Sequence, residues 1–165
     1  MNRSRLKKQF ILGILFFLPV LFLLFLYPSS HNYEPLDVVN NEVMELTGLA
    51  NNDARFNGNI TILNFVGSRP LLKSTTTLNL KELIYDKFLG FKRFQVITLA
   101  LNESQVELEQ LRKQLLDYDA LKYWKFITMD SLQIQNIYNS LKSKGPLDNS
   151  YATDEVFIVD SELMQ

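Results

Sequence analysis

The 165-residue chain has no cysteine. That absence removes thiol redox catalysis, disulfide staples and thiolate metal ligation together. Histidine is nearly absent too. The single copy, His31, sits in a polar stretch just past an apolar run, so zinc sites of the usual Cys/His kind cannot be assembled. No Gly-rich phosphate loop, Ser/His/Asp set or HExxH-like motif is present. Met44, Met129 and Met164 lie far apart and form no cluster. Asp117 and Asp119 are spaced i, i+2, which points two helical side chains away from each other. Neither paired-carboxylate catalysis nor a calcium site is expected from them. No cofactor is implied by any of these residues.

What is present begins with a long hydrophobic run. Phe10 to Tyr27 carries no charge, and Phe, Leu and Ile dominate it. The run is long enough to cross a hydrocarbon core of roughly 30 Å, and membrane helices tolerate its Gly13 and Pro19. Arg3, Arg5, Lys7 and Lys8 precede it, whereas the first charges after it are Glu34 and Asp37. The positive-inside rule then makes residues 1–9 a cytoplasmic flank, 10–27 a transmembrane signal-anchor in the lipid bilayer, and the remainder extracytoplasmic. Tyr27-Pro28-Ser29-Ser30 offers no small-residue cleavage site, so the span is expected to be retained. Residues 28–36, stiffened by Pro28 and Pro35, read as a linker to a domain over 37–165.

Four of the seventeen basic residues precede the span, which leaves thirteen against eighteen acidic ones, a net of −5. That balance argues against nucleic acid or anionic lipid as the partner of the soluble domain.

Beyond the linker the hydrophobic period alternates. Ile60–Val66 reads as a strand, and Leu80, Leu83, Ile84 and Phe88 read as one helical face stopped by Gly90. Phe94–Leu101 reads as a buried strand, followed by a capping-box-like Asn102/Gln105 and a helix bearing Leu108, Leu111 and Leu115. Trp124–Met129 is a third strand, Asp130/Gln133 caps a helix bearing Ile134, Ile137, Tyr138 and Leu141, and Val156–Val159 is a last strand. Asn57-Gly58 could close a hairpin between Val43–Leu46 and Ile60. The order β-α-β-α-β-α-β implies βαβ crossovers, a mostly parallel sheet and helices on both faces: an α/β, three-layer domain. The chain stops at Gln165 where a hairpin partner and a closing helix are expected, so it reads as truncated at its C-terminus.

The membrane anchor, this element order and Phe65-Val66-Gly67-Ser68-Arg69-Pro70 resemble the thioredoxin-like superfamily. Within it the chain is most similar to the Sco/SenC family, membrane-tethered cytochrome oxidase assembly proteins. Their two-cysteine loop falls over Arg69-Pro70-Leu71-Leu72-Lys73, and their following helix over Asn79-Leu80-Lys81-Glu82-Leu83. The resemblance places Arg69 and Lys73 at the two cysteine positions, and the family's histidine ligand near Ala152 or Thr153. It implies the frame and a setting near respiratory oxidase biogenesis, without the copper or thiol chemistry.

Arg69, Lys73, Ser74 and Thr75 form the candidate site. Two cations, hydroxyls and helix amides could hold a small anion or a partner's carboxylate; the plainer reading is a solvated loop in which Ser74 or Thr75 caps the helix. Tyr118, Tyr123, Trp124 and Phe126 read as lining a core junction more than a binding surface. The Asn59 and Asn102 sequons read as chance matches. The function expected is a binding or assembly module with a protein partner in the membrane or periplasm, and no enzyme. The alternatives are an enzyme or metal-binding protein with its functional residues beyond residue 165, and a structural subunit of a membrane complex.

Overall fold

The computed structural model describes residues 3–26, 43–46, 54–116 and 121–160. The chain divides into two units, Met1–Asp37 and Val38–Gln165. In the first, helix α1 spans Arg3–Leu26 and so begins within the basic flank rather than at Phe10. Its Lys7–Phe25 stretch, of mean hydropathy 2.3, is long and apolar enough to cross a membrane, and none of it is buried against protein. Pro19 lies inside the helix without ending it. His31 and the linker 28–36 lie outside the described residues, as do Asp117, Tyr118 and Asp119.

The second unit is built on four strands: β1 (Ile60–Gly67), β2 (Phe94–Leu101), β3 (Trp124–Met129) and β4 (Ala152–Val159), in the order β3-β2-β1-β4. β1 pairs with β2 and β2 with β3 in parallel, whereas β4 runs antiparallel to β1. The sheet is therefore mixed, against the expectation of a mostly parallel one. The reason lies in the connector before β4. It returns the chain to the carboxyl end of β1, where the Ser68 amide donates to Ser150 O at 2.8 Å. A strand that starts beside the end of β1 can pair with it only head to tail.

Helices cover both faces. On one, Leu63, Phe65, Ile97, Leu99 and Ile127 meet Ile134, Ile137 and Tyr138 of helix α5 (Ser131–Ser140). On the other, Ile62, Val96 and Trp124 meet Leu80, Tyr85 and the Leu108, Leu111 and Leu115 stripe of helix α4 (Gln105–Leu116). Each fully buried leucine contributes about 1.5–3 kcal/mol. The strands also carry a polar lock within this second face. Trp124 Nε1 donates to Thr98 Oγ1 at 2.8 Å, and the Thr98 hydroxyl donates to Asn64 Oδ1 at 2.7 Å, all three residues being buried. A register slip would orphan these groups, so the chain of bonds fixes how β1, β2 and β3 align.

Several local expectations fail for identifiable reasons. Val43–Leu46 forms no strand, so there is no hairpin onto β1. Glu45 instead accepts from the amides of Leu46, Phe56 and Asn57 at 2.7–2.9 Å, pinning this segment against the turn before β1. Gly58, at φ 76, closes that turn. The helix after β1 does not begin at Ser74. It opens at Pro70 as a 3-10 turn (Pro70–Lys73), continues as α2 (Ser74–Leu80), widens into a π turn (Lys81–Tyr85) and ends as α3 (Asp86–Phe88). The π turn shifts the inward face, so Lys81 and Tyr85 are buried while Leu83, expected inside, is exposed. It also stacks i over i+5, and Lys81 Nζ meets both carboxylate oxygens of Asp86 at 3.1 and 3.0 Å.

Gly90 follows the helix but lacks the left-handed backbone of a C′ glycine, since Gly58 and Gly67 are the described glycines with positive φ. Asn102 makes no capping bond: residues Asn102–Ser104 form a 3-10 turn, and Ser104 Oγ donates to Leu101 O and Gly67 O. The Asp130/Gln133 box before α5 is present in full. β4 is longer than expected, taking in Ala152 to Glu155 as well.

Candidate functional site

β1 becomes irregular near its end, its register shifting against β4 between Asn64 and Val66 and against β2 between Phe65 and Gly67, and it ends at Gly67. The residue has φ 61, and a Cβ there would stand 1.9 Å from Ser150 O. Only glycine lets the connector come so close. Immediately after it the chain presents Ser68, half-buried, and Arg69, exposed, then turns into the helix at buried Pro70. Pro70 brings no amide donor, and the Leu72 amide bonds back to Arg69 O at 3.1 Å. The helix end therefore offers fewer free N–H groups than the anion-site reading needs.

Of the four candidate residues, Arg69 is exposed and Lys73 is engaged on another strand. Lys73 turns to β4, where its Nζ meets Asp154 Oδ1 at 2.7 Å. Its carbonyl accepts the Thr77 hydroxyl at 2.8 Å. Neither Arg69 nor Lys73 caps its helical turn through a side chain, and no side-chain bond from Ser74 or Thr75 caps one either. The hydroxyl-cap reading is thus replaced by a proline-initiated 3-10 start.

The same edge holds a second acid. Asp148 Oδ1 accepts from the Ser150 amide (2.8 Å), the Ser150 hydroxyl (2.6 Å) and the Ala152 amide (2.8 Å). Its backbone closes the turn, with Asp148 N donating to Ala152 O and Tyr151 N to Asp148 O, both at 3.0 Å. Tyr151 takes the left-handed conformation at φ 59 to complete it. Partial burial pushes the Asp148 carboxyl up, but the Ser150 hydroxyl, the two amides and the Lys73 ammonium outweigh it and hold the group below its ordinary value. Beside this turn, a cleft of about 390 Å³ at the carboxyl ends of β2 and β3 is lined by Asn102, Glu103, Asp130, Ser131 and Tyr151. Asp130 is already engaged there as the cap of α5.

The aromatic residues behave as core. Trp124 and Phe126 stack with rings 5.8 Å apart and a 4° interplanar angle, and Tyr85 lies 5.2 Å from Trp124. Tyr123, by contrast, is partly exposed under the Lys122 ammonium. The Asn59 side chain donates within its own turn, to Arg55 O and Asn57 O. Among the described residues, no group of three or more His, Asp or Glu side chains is placed to hold a metal ion.

Sequence reasoning does not single out Asp154, Asp148 or Glu45. Asp154 pairs with a residue 81 positions away, and no local pattern announces such a partner. Asp148 has a readable signal, since Asp148-Asn149-Ser150 is an Asx-turn sequence. No protein-family model, curated protein or solved structure matches the chain.

Proposed function

We propose that the chain is a membrane-anchored, extracytoplasmic binding module on a thioredoxin-like, Sco-like frame, serving the assembly of a respiratory oxidase. In this reading residues 10–27 anchor it, the N-terminus is cytoplasmic, and the domain meets a protein partner in the membrane or periplasm. The observation that carries the reading is the Lys73–Asp154 contact of 2.7 Å. The resemblance puts two ligand positions at Arg69 and Lys73 and a third near Ala152 or Thr153. The ion pair and the Ser68–Ser150 bond draw these stretches together from opposite ends of the domain sequence.

The residues now at those positions do not suit copper. Arg69 and Lys73 are cations with no lone pair to offer while protonated, and the Lys73 charge is already met by Asp154. The edge also supports binding over catalysis in the employment of its acids: Asp148 holds a turn, Asp130 caps a helix and Asp154 neutralises a lysine.

Deleting the gene and measuring cytochrome oxidase activity in membranes tests the setting. A drop restored by the wild-type chain supports it, and unchanged activity overturns it. The frame is tested separately with R69C/K73C/T153H. Cu(I) binding gained by this variant and absent from wild type supports a Sco-like convergence of the three positions; no binding by a folded variant refutes it.

A further inference from the structure

At the amino end of the sheet, the turn from α3 into β2 leaves large apolar side chains in water. Phe91 is 60% exposed, Phe88 42% and Leu89 37%. The rings are not loose: Phe88 lies 5.3 Å from Phe91 and 5.9 Å from the buried Phe94, so the patch is an outward extension of the core. Ile60, also exposed, belongs to the same end, since its amide donates to Arg93 O at 2.8 Å. Cations alternate with these groups. Lys87, Lys92 and Arg93 are exposed, and none forms an ion pair with a described residue. Residues 87–93 thus hold three cations and no acid, a local excess hidden in the net −5 that, taken over the domain, argues against anionic lipid.

We infer that this turn docks on an anionic bilayer surface, with Phe88, Leu89 and Phe91 entering the acyl boundary and Lys87, Lys92 and Arg93 meeting lipid phosphates. Rings flanked by cations are the pattern of an interfacial segment, and each Lys or Arg near an anionic surface adds about fivefold to the bound population. The inference rests on the proposed anchoring through residues 10–27. Given that anchor, the sixteen residues 27–42 reach at most about 55 Å even when fully extended. Anchoring makes the docking step intramolecular, so a weak interfacial affinity is enough. The acidic excess of the remaining domain is repelled by the same surface. Attraction at one end and repulsion elsewhere orient the domain, with the carboxyl edge held about 25 Å further out along β2.

The absence of cysteine makes the test direct. A Cβ at Gly90 meets nothing within 4 Å, so G90C accepts an environment-sensitive fluorophore while Phe88 and Phe91 stay in place. The full chain is mixed with vesicles of phosphatidylcholine and phosphatidylglycerol bearing nitroxide lipids, and co-flotation reports anchoring separately. Blue-shifted, quenched emission from position 90, with an unquenched label in E103C at the far edge, is the expected result. F91S should abolish the quenching, and K92Q should lower the inserted-to-free ratio about fivefold. A chain that floats with an unquenched label at position 90 overturns the inference and leaves the anchor standing. A chain that does not float overturns both. Shielding of the label in native membranes but not in pure lipid assigns the patch to a protein partner and likewise overturns it.

Discussion

The two ends of the sheet are built on opposite terms. At the carboxyl end, polar groups are bonded and backbones approach closely: Gly67 lies under Ser150 O, Lys73 meets Asp154, and Asp148 gathers three hydrogen bonds. At the amino end the rings of Phe88 and Phe91 stand in water among cations. The difference teaches where constraint resides. The edge at which an α/β domain usually places its chemistry is here spent on joining β4 to β1, and the opposite end is free to meet something outside the fold.

That contrast breaks most readily at Gly67. In G67A the new Cβ would meet a backbone oxygen, and the residue would have to keep φ 61. We expect a loss of roughly 4 kcal/mol, from strain and overpacking together, read as a lower denaturation midpoint. A change below about 1 kcal/mol would mean that the carboxyl edge yields more easily than its geometry implies.

Next in size is D148A, which leaves the amides of Ser150 and Ala152 without their acceptor and should cost about 1–2 kcal/mol. Asp148 also gives the edge a pH signature. Its carboxyl is held below the ordinary value of 3.8, so its contribution is present above that value and fades as pH falls through the lower native range. Acid titration of unfolding should therefore show wild type losing more stability than D148N between about pH 5 and pH 2. Equal losses would detach Asp148 from the lock.

A double-mutant cycle on K73A and D154A sharpens the comparison further. Asp154 is 78% exposed, so the coupling should be only about 0.5–1 kcal/mol and shrink as salt is raised. The smallest effect belongs to the other end. F91S should change stability by less than about 0.5 kcal/mol, because Phe91 is already in water. A large loss there would make the two ends alike.

Much of this fold is legible in the sequence. The runs from Ile60, Phe94 and Trp124 are strands because they are apolar, β-rich and bounded by turns, and Leu108, Leu111 and Leu115 bury a helix stripe as their spacing requires. Asp130 and Gln133 cap α5 because both partners lie within four residues. What stays illegible depends on distance along the chain or on backbone geometry with no residue code. The direction of β4 is set by where its connector docks on Gly67–Ser68, not by the composition of Val156–Val159. In the candidate site Arg69 is readable as an exposed cation, but the fate of Lys73 is decided by Asp154 on another strand. Leu83 reads as inward only when a 3.6-residue period is extended through a stretch that abandons it.

That stretch has a further consequence. The turn Lys81–Tyr85 holds one residue more than an α-helical turn requires, so excising Glu82, Leu83 or Ile84 would restore ordinary winding and leave the downstream residues near their present phase. Lys81 and Asp86 would then stand i, i+4, still within reach of each other, and Tyr85 would keep the side on which its hydroxyl receives the Tyr123 amide at 3.1 Å. The surplus residue is slack in the winding, and a single-residue deletion among residues 82–84 should be tolerated better than one within the ordinarily wound α2.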